Sequence, residues 1–198
     1  RGQPASDWIG VAGGALRRGS ICPDARIFTL DMLSPGEWYG DIALLDGATA
    51  DLDIEAHAPS TLLLCPKAEL QALIAQSSEL QQAFVQLNCR RLRHMFRRME
   101  DLQTLPLWQR VAVQLQRLSR QFGRPIDDGL CIDLHLTQGD LADLLCASRQ
   151  RINGVLRHMQ GEGILVHTAA RLTVRSPERL AAVAEGRLEL KLPRHSHG

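Results

Sequence analysis

The stretch "LTQGDLADLLCASRQRINGVLRHMQGEGIL", residues 136 to 165, limits what this chain can become more than any other. Thr137 is followed three residues later by Asp140, the spacing at which a side-chain cap and its return bond open a helix. Leu141, Leu144 and Leu145 give that helix one apolar face. Cys146-Ala147-Ser148 is a tight connector, and Ser148 suits the N-cap of a second helix that buries Ile152, Val155, Leu156 and Met159. Gly161 and Gly163 end it. Two short helices joined by three residues form a helix-turn-helix, whose second helix enters the DNA major groove. The same pattern also suits an ordinary helical hairpin with a solvated polar face.

On the second helix, Arg149, Gln150 and Asn153 lie opposite the apolar stripe, where they can read bases. Arg bonds guanine O6 and N7 bidentately, and Gln and Asn suit adenine N6 and N7. Thr137, Gln138, Ser148, Arg151 and Arg157 are placed for phosphates, which position a protein without reading sequence. Downstream, "ILVHTAARLTVRSPERL" has two short apolar segments flanking "HTAAR", as in a β-hairpin. A hairpin there makes a winged version, with His167 and Arg171 meeting phosphate at its tip.

The 198-residue chain has a net charge of +1. Residues 1–104 hold 10 Lys and Arg against 13 Asp and Glu, net −3, and residues 105–198 hold 13 against 9, net +4. A mildly basic C-terminal half is compatible with a polyanion partner. Apolar content of 44% and charged content of 23% are ordinary for a soluble globular protein. No apolar run approaches the roughly 18 residues of a membrane span, so no membrane partner is expected. Cys22, Cys65, Cys89, Cys131 and Cys146 are odd in number and lack a C-x-x-C pair, which reads as reduced thiols in a cytoplasmic protein and not as a zinc site. No Ser/His/Asp arrangement, carboxylate pair or phosphate-binding loop suggests an enzyme.

The first 65 or so residues are strand-like. "DWIGVAGGALRR" has a Gly-Gly break, "ARIFTLDML" is rich in β-formers, "LSPGEWYGD" is a turn, "ADLDIEAHA" alternates with period two, and "STLLLCP" is a short apolar run. "KAELQALIAQ" reads as a short helix with Leu70, Leu73 and Ile74 on one side. A longer helix follows, and along it Val85, Cys89, Leu92, Phe96 and Met99 are spaced 4, 3, 4, 3. That is a coiled-coil-like seam, suited to a dimer or to packing on its own domain. Arg90, Arg91, Arg93, His94, Arg97 and Arg98 occupy the other face, favouring a solvated surface over an acidic partner. Thr104-Leu105-Pro106 is the boundary. Beyond it, Val111, Leu115 and Leu118 mark an amphipathic helix stopped at Gly123, "RPIDDG" reads as a loop and "LCIDLHL" as a strand.

With these residues in view, the sequence resembles the cyclic-AMP receptor protein/FNR (CRP/FNR) family of bacterial transcription regulators. "PGEWYGDIALLDG" resembles the cassette of the family's cyclic-nucleotide-binding β-roll, and residues 136 to 165 resemble its helix-turn-helix signature. The resemblance implies an α+β fold in three parts. These are a β-roll with a short helix over 1–77, a long dimerisation helix over 78–104, and a winged helix-turn-helix domain over 105–198. It also implies a homodimer on two-fold symmetric double-stranded DNA, in contact with RNA polymerase. The family has residues before the stretch resembling "RGQPASDWIG", and the first residue is Arg, so an upstream segment is expected.

The cassette departs from its cyclic-AMP-binding versions. Those carry a Glu after the Gly for the ribose and an Arg near the end for the cyclic phosphate. Here Gly40 is followed by Asp41, and the stretch for the Arg reads Ala48-Thr49-Ala50-Asp51-Leu52. Asp51 repels a phosphate, and a buried phosphate with no cation is expensive. Cyclic AMP is therefore not the expected effector; the effector is another ligand or is absent, and in the second case the regulator is constitutive with the β-roll as a structural and dimerising remnant. The alternative is gating by haem or a small organic ligand in the roll, with His57 and Cys65 as faint axial candidates. In the second helix, Arg149 matches the family's leading base-reading Arg, Gln150 stands where many members have Glu, and Gly154 replaces an Arg. Cys146 stands where a Gly often makes the turn and carries strain if that position needs positive φ.

Overall fold

The computed structural model describes residues 1–168 and 171–190. It divides into two units, Arg1–Gln103 and Thr104–Gly198. The first runs β1 (Asp7–Gly13), β2 (Leu16–Ile21), β3 (Ile27–Leu33), β4 (Trp38–Tyr39), α1 (Asp41–Asp46), β5 (Asp53–Ala56), β6 (Thr61–Pro66), α2 (Lys67–Gln76) and α3 (Ser78–Thr104). The strands form two antiparallel three-stranded sheets, ordered β4-β1-β6 and β3-β2-β5. The Gly-Gly break between β1 and β2 has a steric cause. Gly14 has φ +83°, and a Cβ there would lie 2.2 Å from the Pro59 carbonyl oxygen.

The alternation in the strands places Val11, Leu16, Leu33 and Tyr39 in one buried cluster, with Ile9 and Ile54 against it. A second cluster joins sheet to helices: Leu44 of α1, Leu70 of α2 and Phe84 of α3, with Trp8 and Cys65 packed on them. Trp8 stacks on Trp38 at 4.2 Å between ring centroids and meets Phe84 at 5.0 Å. Gly10 makes room for that stack, since a Cβ there would lie 2.7 Å from the Trp38 ring.

Two details differ from the expectation. Leu73 of α2 is exposed, and only Leu70 of that helix is buried. The cassette, expected as a turn, also contains a helix, α1; it is bracketed by Gly40 and Gly47, both at positive φ.

The second unit runs α4 (Leu107–Phe122), β7 (Gly123–Ile126), β8 (Gly129–Ile132), α5 (Gln138–Leu145), α6 (Arg149–Gly161), β9 (Leu165–His167), β10 (Leu172–Val174) and α7 (Pro177–Ala184). Val111, Leu115 and Leu118 of α4 are fully buried, together with Leu141, Ile152, Met159 and Val183 from the other helices. The strands form one antiparallel sheet ordered β7-β8-β10-β9. "RPIDDG", read as a loop, is instead largely strand: Gly123 to Ile126 pair with Gly129 to Ile132 at the sheet edge. Pro is tolerated at an edge, where its missing N–H need not enter a ladder.

Candidate functional site

The helix pair forms as its caps dictate. Thr137 Oγ1 accepts from the Asp140 backbone N–H at 3.1 Å, and Asp140 Oδ2 accepts from the Thr137 N–H at 2.8 Å, closing the capping box. α5 ends at Cys146, with φ 50° and ψ 48° in the left-handed region. The position that often carries Gly does need positive φ, so Cys146 carries a backbone cost there of about 1–2 kcal/mol. Arg110 of α4 stabilises this turn, donating from Nη1 to the Leu145 carbonyl at 3.1 Å. Ser148 Oγ then accepts from the Arg151 N–H at 3.3 Å and starts α6.

α6 buries Ile152, Val155, Leu156 and Met159, each at 2% exposure or less. Arg149, Gln150, Arg151 and Arg157 are exposed, as are Thr137 and Ser148 at the helix starts. Asn153 is half-buried, and its Oδ1 accepts from Gln138 Nε2 at 3.1 Å. Two side chains assigned to different tasks, one to a base and one to a phosphate, therefore bond each other. Gly154 is exposed, and a Cβ there would meet nothing within 4 Å.

β9 and β10 form the expected wing. Arg171 is exposed near its end, where the Thr168 N–H donates to the Arg171 carbonyl at 2.9 Å. The tip at 169–170 lies outside the described residues. His167 is half-buried, and its N–H donates to Gln160 Oε1 at 3.3 Å. Burial holds its imidazole below the ordinary His range, while a hydrogen bond to the Leu136 backbone opposes the shift.

In the first unit, Phe84 is the one buried residue of the 27 in α3. Val85, Leu92, Phe96 and Met99 are 53–62% exposed, and Cys89 is exposed as well. The seam is therefore exposed among the described residues. The basic face behaves differently from the expected solvated surface. Arg91 is half-buried and donates from Nη1 to both oxygens of Asp41, at 2.7 and 2.6 Å. Its Nη2 donates to the Trp38 carbonyl, and Asn88 Nδ2 donates to Asp41 Oδ2 at 3.2 Å. Arg98 donates to the Leu30 carbonyl. These two arginines tie α3 to the sheets, whereas Arg90, Arg93 and Arg97 face solvent.

The cassette carboxylate of Asp41 is thus buried, at 1% exposure, and already paired. At the other end of the cassette, the Ala50 N–H donates to the Gln3 carbonyl at 2.9 Å, and the Ala50 carbonyl accepts from the Gly2 N–H at 2.8 Å. Gly40 holds φ 93° beside Asp41, and Asp51 is exposed. Cys65 packs on the Leu44–Leu70–Phe84 cluster. Among the described residues no three His, Cys, Asp or Glu side chains gather as a metal site.

The capped helix pair, the cationic outer face of its second helix and the adjoining wing define a DNA-binding transcription regulator. Residues 109–183 match the Crp-like helix-turn-helix domain, and residues 1–77 match the cyclic nucleotide-binding domain. A CRP-like cAMP-activated global transcriptional regulator of Mycobacterium tuberculosis is 25% identical over 183 residues, 88% of this chain and 82% of that one. A global nitrogen regulator of Synechococcus elongatus is 25% identical over 182 residues, 91% of this chain and 82% of its own. The crystal structure of a CRP/FNR-family regulator from Thermus thermophilus shares the fold, with a TM-score of 0.77 at 23% identity, over 93% of this chain and 91% of that one. The chain belongs to the CRP/FNR family of transcription regulators and is not an enzyme.

Proposed function

We propose that this regulator binds a two-fold symmetric duplex as a homodimer, and that cyclic AMP does not gate it. In this reading α6 of each protomer lies in a major groove. Arg149, Gln150 and Asn153 face base edges, and Thr137, Ser148, Arg151, Arg157 and Arg171 face phosphates. The exposed apolar seam on α3 supports the homodimer, since a row of large apolar side chains at heptad spacing gains from burial against its symmetry mate.

The observation that carries the gating claim is the Asp41–Arg91 pair. The one cassette carboxylate in the ribose position is buried and occupied by the chain's own guanidinium. The phosphate end offers Ala50, whose backbone N–H is already bonded. A cyclic nucleotide entering there would have to break the ion pair and bury its phosphate without a cation, and both steps are costly. Contact with RNA polymerase and a cytoplasmic location complete the proposal; five free cysteines suit a reducing compartment. Calorimetric titration with cyclic AMP tests the gating claim. No heat of binding at micromolar ligand is expected, and micromolar or tighter affinity would refute it.

A further inference from the structure

The turn between α5 and α6 depends on one peptide group, and a side chain from outside the motif holds that group. Cys146 has φ 50° and ψ 48°, a left-handed conformation that is costly for a residue with a Cβ and accessible to glycine. The peptide linking Leu145 to Cys146 is planar and turns about the φ of Cys146, so a bond that fixes its plane also restrains that φ. On its N–H side it donates to the Ala142 carbonyl, which also accepts from the Ala147 N–H at 3.0 Å. On its carbonyl side it accepts from Arg110 Nη1 of α4 at 3.1 Å. The Leu145 carbonyl is among the last four of α5, which have no partner within the helix. Leu145 is 5% exposed, so water is a poor substitute for the guanidinium there. Arg110 is half-buried and its Nε is buried without a partner, so the Leu145 carbonyl is the acceptor that the described residues offer its guanidinium.

We propose that Arg110 is a positioning residue for DNA binding: it holds the Leu145–Cys146 peptide, keeps Cys146 left-handed and so fixes the angle at which α6 leaves α5. This rests on the reading of α6 as the helix that enters the groove. Cys146 opposes the turn through its backbone cost, which makes the arginine matter more here than beside a glycine. A weakened turn acts on binding through the fraction of molecules in which the turn is formed, and apparent affinity falls with that fraction. The loss is the same factor for every duplex. It leaves base preference and the number of phosphates contacted unchanged. Arg110 acts through the turn and touches no DNA itself.

The test compares the wild type with Arg110→Met, Cys146→Gly, Cys146→Ala and the two double variants. Affinity is measured over a series of salt concentrations, for a random-sequence duplex and for the duplex that the wild type enriches from it. Hydrogen exchange at the Ala147 amide, which is bonded across the turn, reads the turn without DNA. Arg110→Met should lower Ala147 protection by about 10- to 150-fold, the equivalent of about 1.5–3 kcal/mol for a hydrogen bond to a charged group. It should weaken both duplexes by one common factor, no larger than the loss of protection, with the salt slope of the wild type. Adding Cys146→Gly should recover about 5- to 30-fold of the protection, the equivalent of the left-handed cost of about 1–2 kcal/mol, and binding should recover with it. Cys146→Ala removes the thiol but keeps the Cβ, and should recover neither.

A salt slope lowered by about one in Arg110→Met would mean a phosphate contact and overturn the proposal. Unchanged protection or unchanged affinity in Arg110→Met would overturn it too, as would no recovery with Cys146→Gly or equal recovery with Cys146→Ala. If Arg110→Met does not fold, Arg110→Lys, which keeps the charge but not the planar fork, should show the same pattern at smaller size, and its absence there counts against the proposal. If the wild type binds neither duplex, the reading of α6 as a DNA-binding helix fails before any variant is compared, and Ala147 exchange decides separately whether Arg110 holds the turn.

Discussion

Replacing Arg91 with Met tests whether the cassette is closed from within. The substitution keeps most of the side chain's apolar length and deletes the guanidinium. Asp41, 1% exposed in its side chain, would lose both bonds to Arg91 and keep the single 3.2 Å bond from Asn88. The Trp38 carbonyl would also lose its donor. Removing one partner of a buried pair costs about 3–5 kcal/mol, because the remaining charge is stranded. Arg91 is 26% exposed, so some water reaches the gap and the lower end, about 3 kcal/mol, is expected. At a urea slope of about 1–3 kcal/mol per molar, the unfolding midpoint should fall by roughly 1–3 M. The assay is urea unfolding at fixed protein concentration, followed by tryptophan emission. Trp8 and Trp38 stack in this unit and report on it. Adding Asp41→Asn to Arg91→Met removes the stranded charge and should recover more than half of the loss. A loss below about 1 kcal/mol, the scale of an exposed pair, would refute the reasoning, as would no recovery in the double variant.

Gly154→Ala should stabilise the DNA-binding unit by about 1 kcal/mol, because an exposed helical glycine with open space gains helix propensity without a clash. A calorimetric scan should show its transition about 4–8 °C higher, and a decrease would contradict the placement. Arg149→Ala should cost about 1–3 kcal/mol on the preferred duplex and relax selection at one base, whereas Arg157→Ala should weaken all duplexes alike; equal effects of both on every duplex would contradict the assignment of faces. Burial favours the neutral imidazole of His167 in the folded state. Between that lowered pKa and the unfolded value of about 6.5 the unfolded chain holds more protons, so stability should rise with pH across this window. His167→Gln should flatten that rise, and an unchanged pH slope in the variant would rule His167 out as its source.

The local features were legible because they are set by neighbours in sequence. The Thr137–Asp140 box, the Ser148 cap and the buried stripe of α6 all depend on residues a few positions apart. What escaped the sequence depends on distant partners. Helical spacing puts Arg91 on the polar face of α3, yet its partner Asp41 is 50 residues away, and Arg98 meets Leu30 across 68. A charge at the right periodicity shows which face it lies on, not whether another element covers that face. The six residues of α1 are too few to show a period. "GRPI" reads as loop because Gly and Pro are poor strand formers, and only its edge position makes the pairing acceptable. Asn153 was legible as a polar residue on the recognition face, but its hydrogen bond from Gln138, in the preceding helix, was not.

The central claim, a dimer competent for DNA without a cyclic nucleotide, is tested most directly by selecting bound duplexes from a random pool with purified protein and no added ligand. The expected result is an enriched two-fold symmetric site with half-sites about one helical turn apart, unchanged when cyclic AMP is added. Enrichment that occurs only with cyclic AMP, or no symmetric site under either condition, would contradict it.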